Sequence, residues 1–431
     1  MRFFYVTLTY LLTPFLLLHL YWRSLSSPGY RRRIGERFGR GPQRLPTPGI
    51  WVHAVSVGEV QAAAALVRAL LERYPELPLV LTTMTPTGSE RARALFGDRV
   101  VHSYLPYDIS SAVRRFFRWA RPRLAIIIET ELWPNLYHES GRLGVPLVLA
   151  SARVSEKSVR YYRRLVSLFR ETLSHGIVIA AQTEADAERF RSLGASAERT
   201  HVTGNIKFDF RLPDEVGEHG RQFRLLQAPA RPVWIAASTH AEEEPAVLAA
   251  HKAVLAEQPD ALLLWVPRHP ERFPAVAAQL EKAGLPFVTR SSAAVCTPQT
   301  RVFLGDSMGE LTMFYAAADL AFVGGSLVPI GGHNLLEPAA LGLPAITGPH
   351  NFNAADIAGL LAQSGATQVL EAGEQLAPAV LNLLVNPAER TRRGNAGLLA
   401  VQRNRGALQR LLALLDPLLR EPGGSGRQPG R

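Results

Sequence analysis

Leu124-Ala125-Ile126-Ile127-Ile128 is five apolar residues in a row, stopped by Glu129. A strand with one wet face alternates polar and apolar side chains; an unbroken short run is a strand buried on both faces. That is the mark of a parallel sheet, whose neighbours must be joined by crossovers that cover it with helices. The chain repeats the device. Runs at 50–55, 79–83, 124–128, 145–150 and 176–180 are each followed by a helical pattern, and the series closes near Val202. A polar, irregular stretch follows, and a second series begins at Val233. It recurs at 262–266, 286–289, 301–304, 320–323 and 344–347. Two doubly wound α/β halves are the architecture this predicts.

At 431 residues the chain is too long for one ordinary core, which agrees with two domains. The expected divisions are an N-terminal anchor at 1–24, a basic linker at 25–49, a first domain at 50–212, an interdomain linker at 213–231, a second domain at 232–420 with a long amphipathic final helix, and a disordered tail at 421–431. The anchor rests on the apolar run from Phe3 to Trp22, whose length suits a span of roughly 20 residues. Arg23, Arg31, Arg32, Arg33, Arg37, Arg40 and Arg44 follow it almost unopposed. A cleavable leader has its charge before the apolar run. Charge on the C-terminal side instead predicts a cytoplasmic body, with the run spanning or embedded in the interface. A buried first helix of the core is the alternative. The net charge of +11 suits phosphates, carboxylates and anionic lipid; no zinc-finger spacing or RNA-binding signature supports nucleic acid. The single Cys296 excludes an internal disulfide and a cysteine metal cluster.

Polar clusters stand where the predicted strands end, the edge at which such sheets bind ligands. The densest runs from Gly324-Gly325-Ser326 through Gly331-Gly332-His333-Asn334 to Leu335-Leu336-Glu337-Pro338. Two Gly-Gly pairs cost chain entropy, and backbone amides closely approaching a ligand would be the return. Asn334 can cap the helix that follows, and Glu337 stands one turn in, where it can accept from sugar hydroxyls. A turn needing glycine only for its bend is the plain alternative. Pro267-Arg268 ends another strand, and Arg268 can grip a phosphate with two parallel bonds. Met308-Gly309-Glu310 ends a third, and Ser238-Thr239-His240 through Glu243 ends a fourth, where a helix cap explains as much. In the first half Glu59 follows a strand at a helix start, where the helix dipole keeps a carboxylate ionised and fit to be a general base. Capping chemistry accounts for it equally. Glu129 is either functional or paired with an arginine, and Lys207 alone reads as a solvated lysine. No Asp-x-Asp occurs, so no metal gripping a diphosphate is expected, and no Gly-x-Gly-x-x-Gly follows the first strand.

His53 to Glu59, Glu129 to Asn135, Gly204 to Asp209, Pro267 to Phe273, Gly305 to Leu311 and Gly324 to Pro338, in this order, resemble the 3-deoxy-D-manno-octulosonic acid (Kdo) transferases of Gram-negative lipopolysaccharide synthesis. The resemblance runs from the N-terminal segment to about residue 415. It implies a GT-B glycosyltransferase, two Rossmann-like domains with a cleft between them. The first would face the acceptor, a tetraacyl disaccharide bisphosphate lipid A precursor, and the second would hold the donor, CMP-Kdo. It implies Glu59 as general base, with Glu129 and Lys207 supporting the transition state. Pro267, Arg268, Met308, Gly309, Glu310, Asn334, Leu335, Leu336 and Glu337 would hold CMP, with Gly325, Ser326 and His333 as further donor contacts. No cofactor and no metal are implied, and the place would be the cytoplasmic face of the inner membrane. A GT-B enzyme for another nucleotide sugar, or a membrane-attached binder without catalysis, are the rival readings.

Overall fold

The computed structural model describes residues 2–129, 131–163, 173 and 176–420. The tail expected at 421–431 lies outside the described residues. The chain forms two compact units, one of residues up to Phe210 with those from Asn404 onward, the other Arg211–Arg403.

The first unit is built on a parallel sheet of seven strands: β1 Gly49–His53, β2 Leu79–Thr83, β3 Val101–Tyr104, β4 Pro122–Ile128, β5 Leu147–Ala152, β6 Val178–Ala181 and β7 Thr200–Val202. Their order is β3-β2-β1-β4-β5-β6-β7. β3 is absent from the expected series because His102 and Ser103 interrupt its apolar run. Alternate residues feed two cores. Val52, Leu81, Ile126 and Ile128 face one side, while Trp51, Val80, Ala125 and Ile127 face the other. The second unit repeats the plan with β8 Val233–Thr239, β9 Leu262–Pro267, β10 Phe287–Thr289, β11 Val302–Leu304, β12 Leu320–Val323, β13 Ala345–Thr347 and β14 Thr367–Val369. Its order is β10-β11-β9-β8-β12-β13-β14, again all parallel.

Three expected boundaries need correction. The long final helix is two helices, Pro387–Asn404 and Ala407–Arg420. Gly406 breaks them at φ +88°, and the Asp209 carboxylate accepts from the N–H groups of Gly406 and Leu408, both at 2.6 Å. The second helix belongs to the first unit, where Leu411, Leu412, Leu415 and Leu419 are buried. Burial of such side chains contributes about 1.5–3 kcal/mol each, enough to hold a helix reached only from the far end of the chain.

The expected interdomain linker at 213–231 is mostly the helix Val216–Gln227 of the second unit. Gly220 lets it lie against Ala316, where an added Cβ would meet the alanine methyl at 2.4 Å, and Phe223 packs edge-on against Phe303 and Phe314.

The basic linker is no linker either. Arg37 is 2% exposed, donating to the Met84 carbonyl at 3.0 Å and lying 4.2 Å from the Tyr104 ring centre. Arg33 ion-pairs with Glu36 at 2.7 Å, and Glu36 accepts from Tyr104 N–H at 2.9 Å on β3. Arg37 tolerates burial here because its planar group stacks on Tyr104 and donates to a backbone carbonyl.

The N-terminal segment is two helices. Among the described residues no single helix is long and apolar enough to cross a membrane; Arg2–Leu11 and Thr13–Leu25 qualify only as a pair, bent by 46°. One side of the pair is tied to the first unit: Tyr5 donates to Asp108 at 2.8 Å, and Ser111 N–H donates to the Tyr10 hydroxyl at 3.2 Å. Phe3, Phe4, Leu11, Phe15, Leu18 and Trp22 are exposed.

Candidate active site

Each sheet has a point where the winding direction reverses, and the crevice outside the strand ends there is where such folds bind ligands. In the first unit it lies between β1 and β4. The helix Val57–Arg73 follows β1 and carries Glu59 in its first turn. Ser56, at the cap position, makes no side-chain cap bond; Glu59 reaches back instead and accepts from Val55 N–H at 2.7 Å. Glu59 thus takes the capping role, one of the two readings its position in the sequence allows. The dipole expectation needs correction. Burial pushes the Glu59 carboxyl up to about 7, and the charges of Glu129 and Glu131 push the same way. The Val55 bond and the Lys207 charge oppose the rise without cancelling it. A base matched to neutral pH is the result.

Glu129 ends β4 in a left-handed conformation, φ 60°, which a residue with a Cβ adopts only at a cost of about 1–3 kcal/mol. Its carboxylate is paired on both oxygens, with Lys207 at 2.6 Å and with Arg153 at 3.2 Å. Lys207 is thus no solvated lysine. It is fixed by its short helix Ile206–Asp209, which Asn205 caps by accepting from Lys207 N–H at 2.9 Å. Sequence reasoning missed two members of this cluster. Arg153 follows β5, and Glu131, two residues beyond Glu129, is raised to about 7 by burial and by the Glu129 charge. Glu131 was within a quoted motif; Arg153 had no local signal, since only the β4–β5 pairing brings it near.

In the second unit the reversal lies between β8 and β12, and the glycine loop leaves β12 there. Three of its amides are already taken. Glu243, 1% exposed, accepts from the N–H groups of Gly325 at 2.7 Å, Ser326 at 2.9 Å and Leu327 at 2.9 Å, and from His240 N–H at 3.1 Å. The expectation that these amides face a ligand is overturned: a carboxylate of the protein occupies them. Ser326 is fully buried, its hydroxyl donating to the Val323 carbonyl at 2.7 Å and accepting from Gly348 N–H at 2.8 Å, so it fastens the loop. Gly325, at φ +67°, makes room for His333, whose ring an added Cβ would meet at 2.8 Å. His333 in turn meets His240, Nε2 to Nε2 at 2.8 Å.

Arg268 follows Pro267 at the end of β9; its N–H donates to the Thr239 carbonyl at 3.0 Å, and its guanidinium has no partner among the described residues. Met308 is exposed, and Gly309, at φ +88°, has open space on its Cβ side. Glu310 is gripped by Arg290 through both oxygens, the closest contact 2.8 Å, and that pairing holds its carboxyl below the usual range. Asn334 accepts from Leu336 N–H at 3.0 Å and donates to Glu337 at 3.0 Å. Burial raises the Glu337 carboxyl. Leu335 and Leu336 are buried, which leaves their backbone alone to meet a ligand. The helix that follows is only Leu336–Ala340.

Residues 32–210 match the sequence model of a family described as 3-deoxy-D-manno-octulosonic-acid transferase (kdotransferase). A 3-deoxy-D-manno-octulosonic acid transferase of Haemophilus influenzae is 46% identical over 421 residues, 97% of this chain and 99% of that protein. The corresponding protein of Bordetella pertussis is 40% identical, covering 89% of this chain and 91% of its own. A glycosyltransferase from Rickettsia africae, of solved structure, superposes with a TM-score of 0.55 at 11% identity over 87% of this chain and 100% of that one, a likeness of GT-B fold.

Proposed function

The chain belongs to the Kdo transferase family and is a glycosyltransferase that transfers Kdo, and we propose that its donor is CMP-Kdo, its acceptor a tetraacyl disaccharide bisphosphate lipid A precursor, and its chemistry a displacement with inversion. The observation that carries the mechanism is Glu59, a carboxylate tuned to about 7 beside the Glu129–Lys207–Arg153 cluster. Glu59 takes the proton of an acceptor hydroxyl as its oxygen attacks the anomeric carbon of Kdo. The bond to phosphate breaks, and CMP leaves with the electron pair. Lys207 and Arg153 hold Glu129 in place, and the Glu129 charge is part of the field in which Glu59 holds its proton.

Arg268, the backbone at Leu335 and Leu336, Asn334, Glu337 and the Met308-Gly309-Glu310 turn, with Pro267 setting the strand end, are the proposed CMP contacts. CMP carries one phosphate, so charge on the leaving group is matched by Arg268 and amides, and no metal or cofactor is assigned to the step. The bent N-terminal pair, with Phe3 78% and Trp22 67% exposed, is proposed to lie in the cytoplasmic face of the inner membrane as an embedded anchor, arginines at the headgroups.

The test is Kdo transfer by Glu59→Gln. A general base contributes about 10²- to 10⁴-fold, so kcat should fall by that factor with CMP affinity within about two-fold of the parent. Retained transfer removes Glu59 from the mechanism; a parent that transfers nothing from CMP-Kdo removes the donor assignment.

A further inference from the structure

The Gly325, Ser326 and Leu327 amides of the glycine loop in the second unit are filled by Glu243. The groups left facing outward around it are imidazoles. His240 follows β8 and His333 ends the loop after β12. Their rings are parallel to within 3°, with centres 5.1 Å apart and the two Nε2 atoms 2.8 Å apart. They are joined end to end by one N–H···N hydrogen bond. His269 stands edge-on to His240 at 5.3 Å, and the unpaired Arg268 is its chain neighbour.

A Kdo donor carries two anions on one carbon, the phosphate of CMP and the sugar's own carboxylate. Whatever holds the phosphate must therefore have a second anion-binding group beside it. We infer that the His240–His333 pair, with Arg268 and His269 at its rim, receives the carboxylate of the donor sugar. This rests on the reading of CMP-Kdo as donor.

The pair's proton chemistry suits the task. In the neutral pair one ring donates through Nε2 and the other accepts, so only one outer Nδ1 carries a hydrogen. One added proton places N–H on both outer nitrogens and spreads a positive charge over two rings. Burial, first, holds both imidazoles below their ordinary range, His333 at about 4. Arg268 and His269 act in the same direction on both; Glu243 and Glu242 oppose on His240. Glu243 is committed to four N–H groups, so it does not neutralise the pair. Held below their ordinary range, the two imidazoles of the empty site are uncharged, and an arriving carboxylate draws one proton onto the pair from solvent. The outer N–H of one ring then meets the carboxylate, with the charge shared by the second ring through the Nε2 bond and Arg268 beside it as the permanent cation.

The experiment compares CMP-Kdo with CMP. His333→Gln and His240→Gln should each raise KM for CMP-Kdo about ten-fold or more, the scale of a charge-assisted hydrogen bond. The inhibition constant of CMP should stay within about two-fold, which also shows that the fold is intact. The double variant should be no worse than the worse single, since the pair acts as a unit. Calorimetry of the parent in two buffers of different ionisation enthalpy should show uptake of about one proton with CMP-Kdo and about none with CMP, by the linkage of binding to protonation. An unchanged KM, or CMP weakened as much as CMP-Kdo, overturns the carboxylate assignment. A parent that binds CMP but never transfers from CMP-Kdo overturns the donor reading instead.

Discussion

The two units wind their sheets alike and place a carboxylate beside the same landmark, yet the two carboxylates have opposite fates. Glu59, beside the reversal between β1 and β4, accepts one backbone N–H and sits in the field of two other carboxylates. Glu243, beside the reversal between β8 and β12, accepts four and is sealed from water. Burial and negative neighbours raise the Glu59 carboxyl to about 7 against its one donor, whereas four donors hold the Glu243 carboxylate in one position. The fold supplies the location, and the count of donors separates a carboxylate that braces a loop from one proposed to act as the base. Charge balance differs in the same way. Glu129 is matched by side chains, Lys207 and Arg153, whereas Glu243 is matched by backbone N–H groups of the glycine loop.

Exchanging each carboxylate for its amide should separate the two roles most sharply. Glu243→Gln replaces one acceptor oxygen with a donor facing buried N–H groups. Each unsatisfied buried group costs about 1–3 kcal/mol, so a loss of about 2–4 kcal/mol is expected, read as a fall in melting temperature. Glu59→Gln should instead leave stability equal or higher above pH 7 while removing transfer. The sign follows from linkage. Its folded carboxyl is raised to about 7 from 4.5, so as pH rises between those values the unfolded state ionises first. The parent loses that part of its stability across the window, and the amide does not. Stability lost in Glu59→Gln, with Glu243→Gln unaffected, would break the comparison.

The series of apolar runs was sufficient to read two parallel sheets, because burial on both faces writes itself into consecutive residues. It failed at β3, whose His102 and Ser103 are polar yet buried, and at β14, Thr367–Val369, where Thr367 and Gln368 leave no apolar run. The Glu59 position was legible as a helix start, but its tuning was not, since burial and the Glu129 and Glu131 charges arise only when β1 and β4 pair. The glycine loop was legible as special and misread as to cause. Its partner Glu243 lies some eighty residues away on the neighbouring strand's exit, and no local pattern announces that a glycine is there for a protein carboxylate.

A smaller effect tests the field on the base. Lys207→Met removes a cation that opposes the rise at Glu59 and leaves Glu129 less compensated. Both changes favour the protonated form of Glu59. Activity needs the unprotonated form, so the ascending limb of kcat/KM against pH should move to higher pH. At neutral pH the rate should fall about ten-fold or more, of the order of one charged interaction of about 1.4 kcal/mol. Glu129→Gln removes a negative neighbour, and its limb should move to lower pH. Limbs that shift the same way in both variants would show that the cluster acts on something other than the base.

The smallest expected effect concerns why the units are not interchangeable halves. The chain's last helix, Ala407–Arg420, returns to the first unit, and Asp209 caps it from outside by accepting from Gly406 and Leu408. The second unit has no such returning element, being one continuous stretch, Arg211–Arg403. Loss of a capping carboxylate costs about 1 kcal/mol, because the freed N–H groups at a helix start turn to water at modest penalty. Asp209→Ala should therefore lower the first unit's stability by about that amount and raise amide exchange in residues 407–412, leaving exchange in 233–239 unchanged. The helix is held chiefly by its buried leucines, Leu411, Leu412, Leu415 and Leu419, so the cap fixes its register more than its attachment. A loss of several kcal/mol, or exchange rising equally in β8, would mean that the returning helix braces both units and that their independence is only apparent.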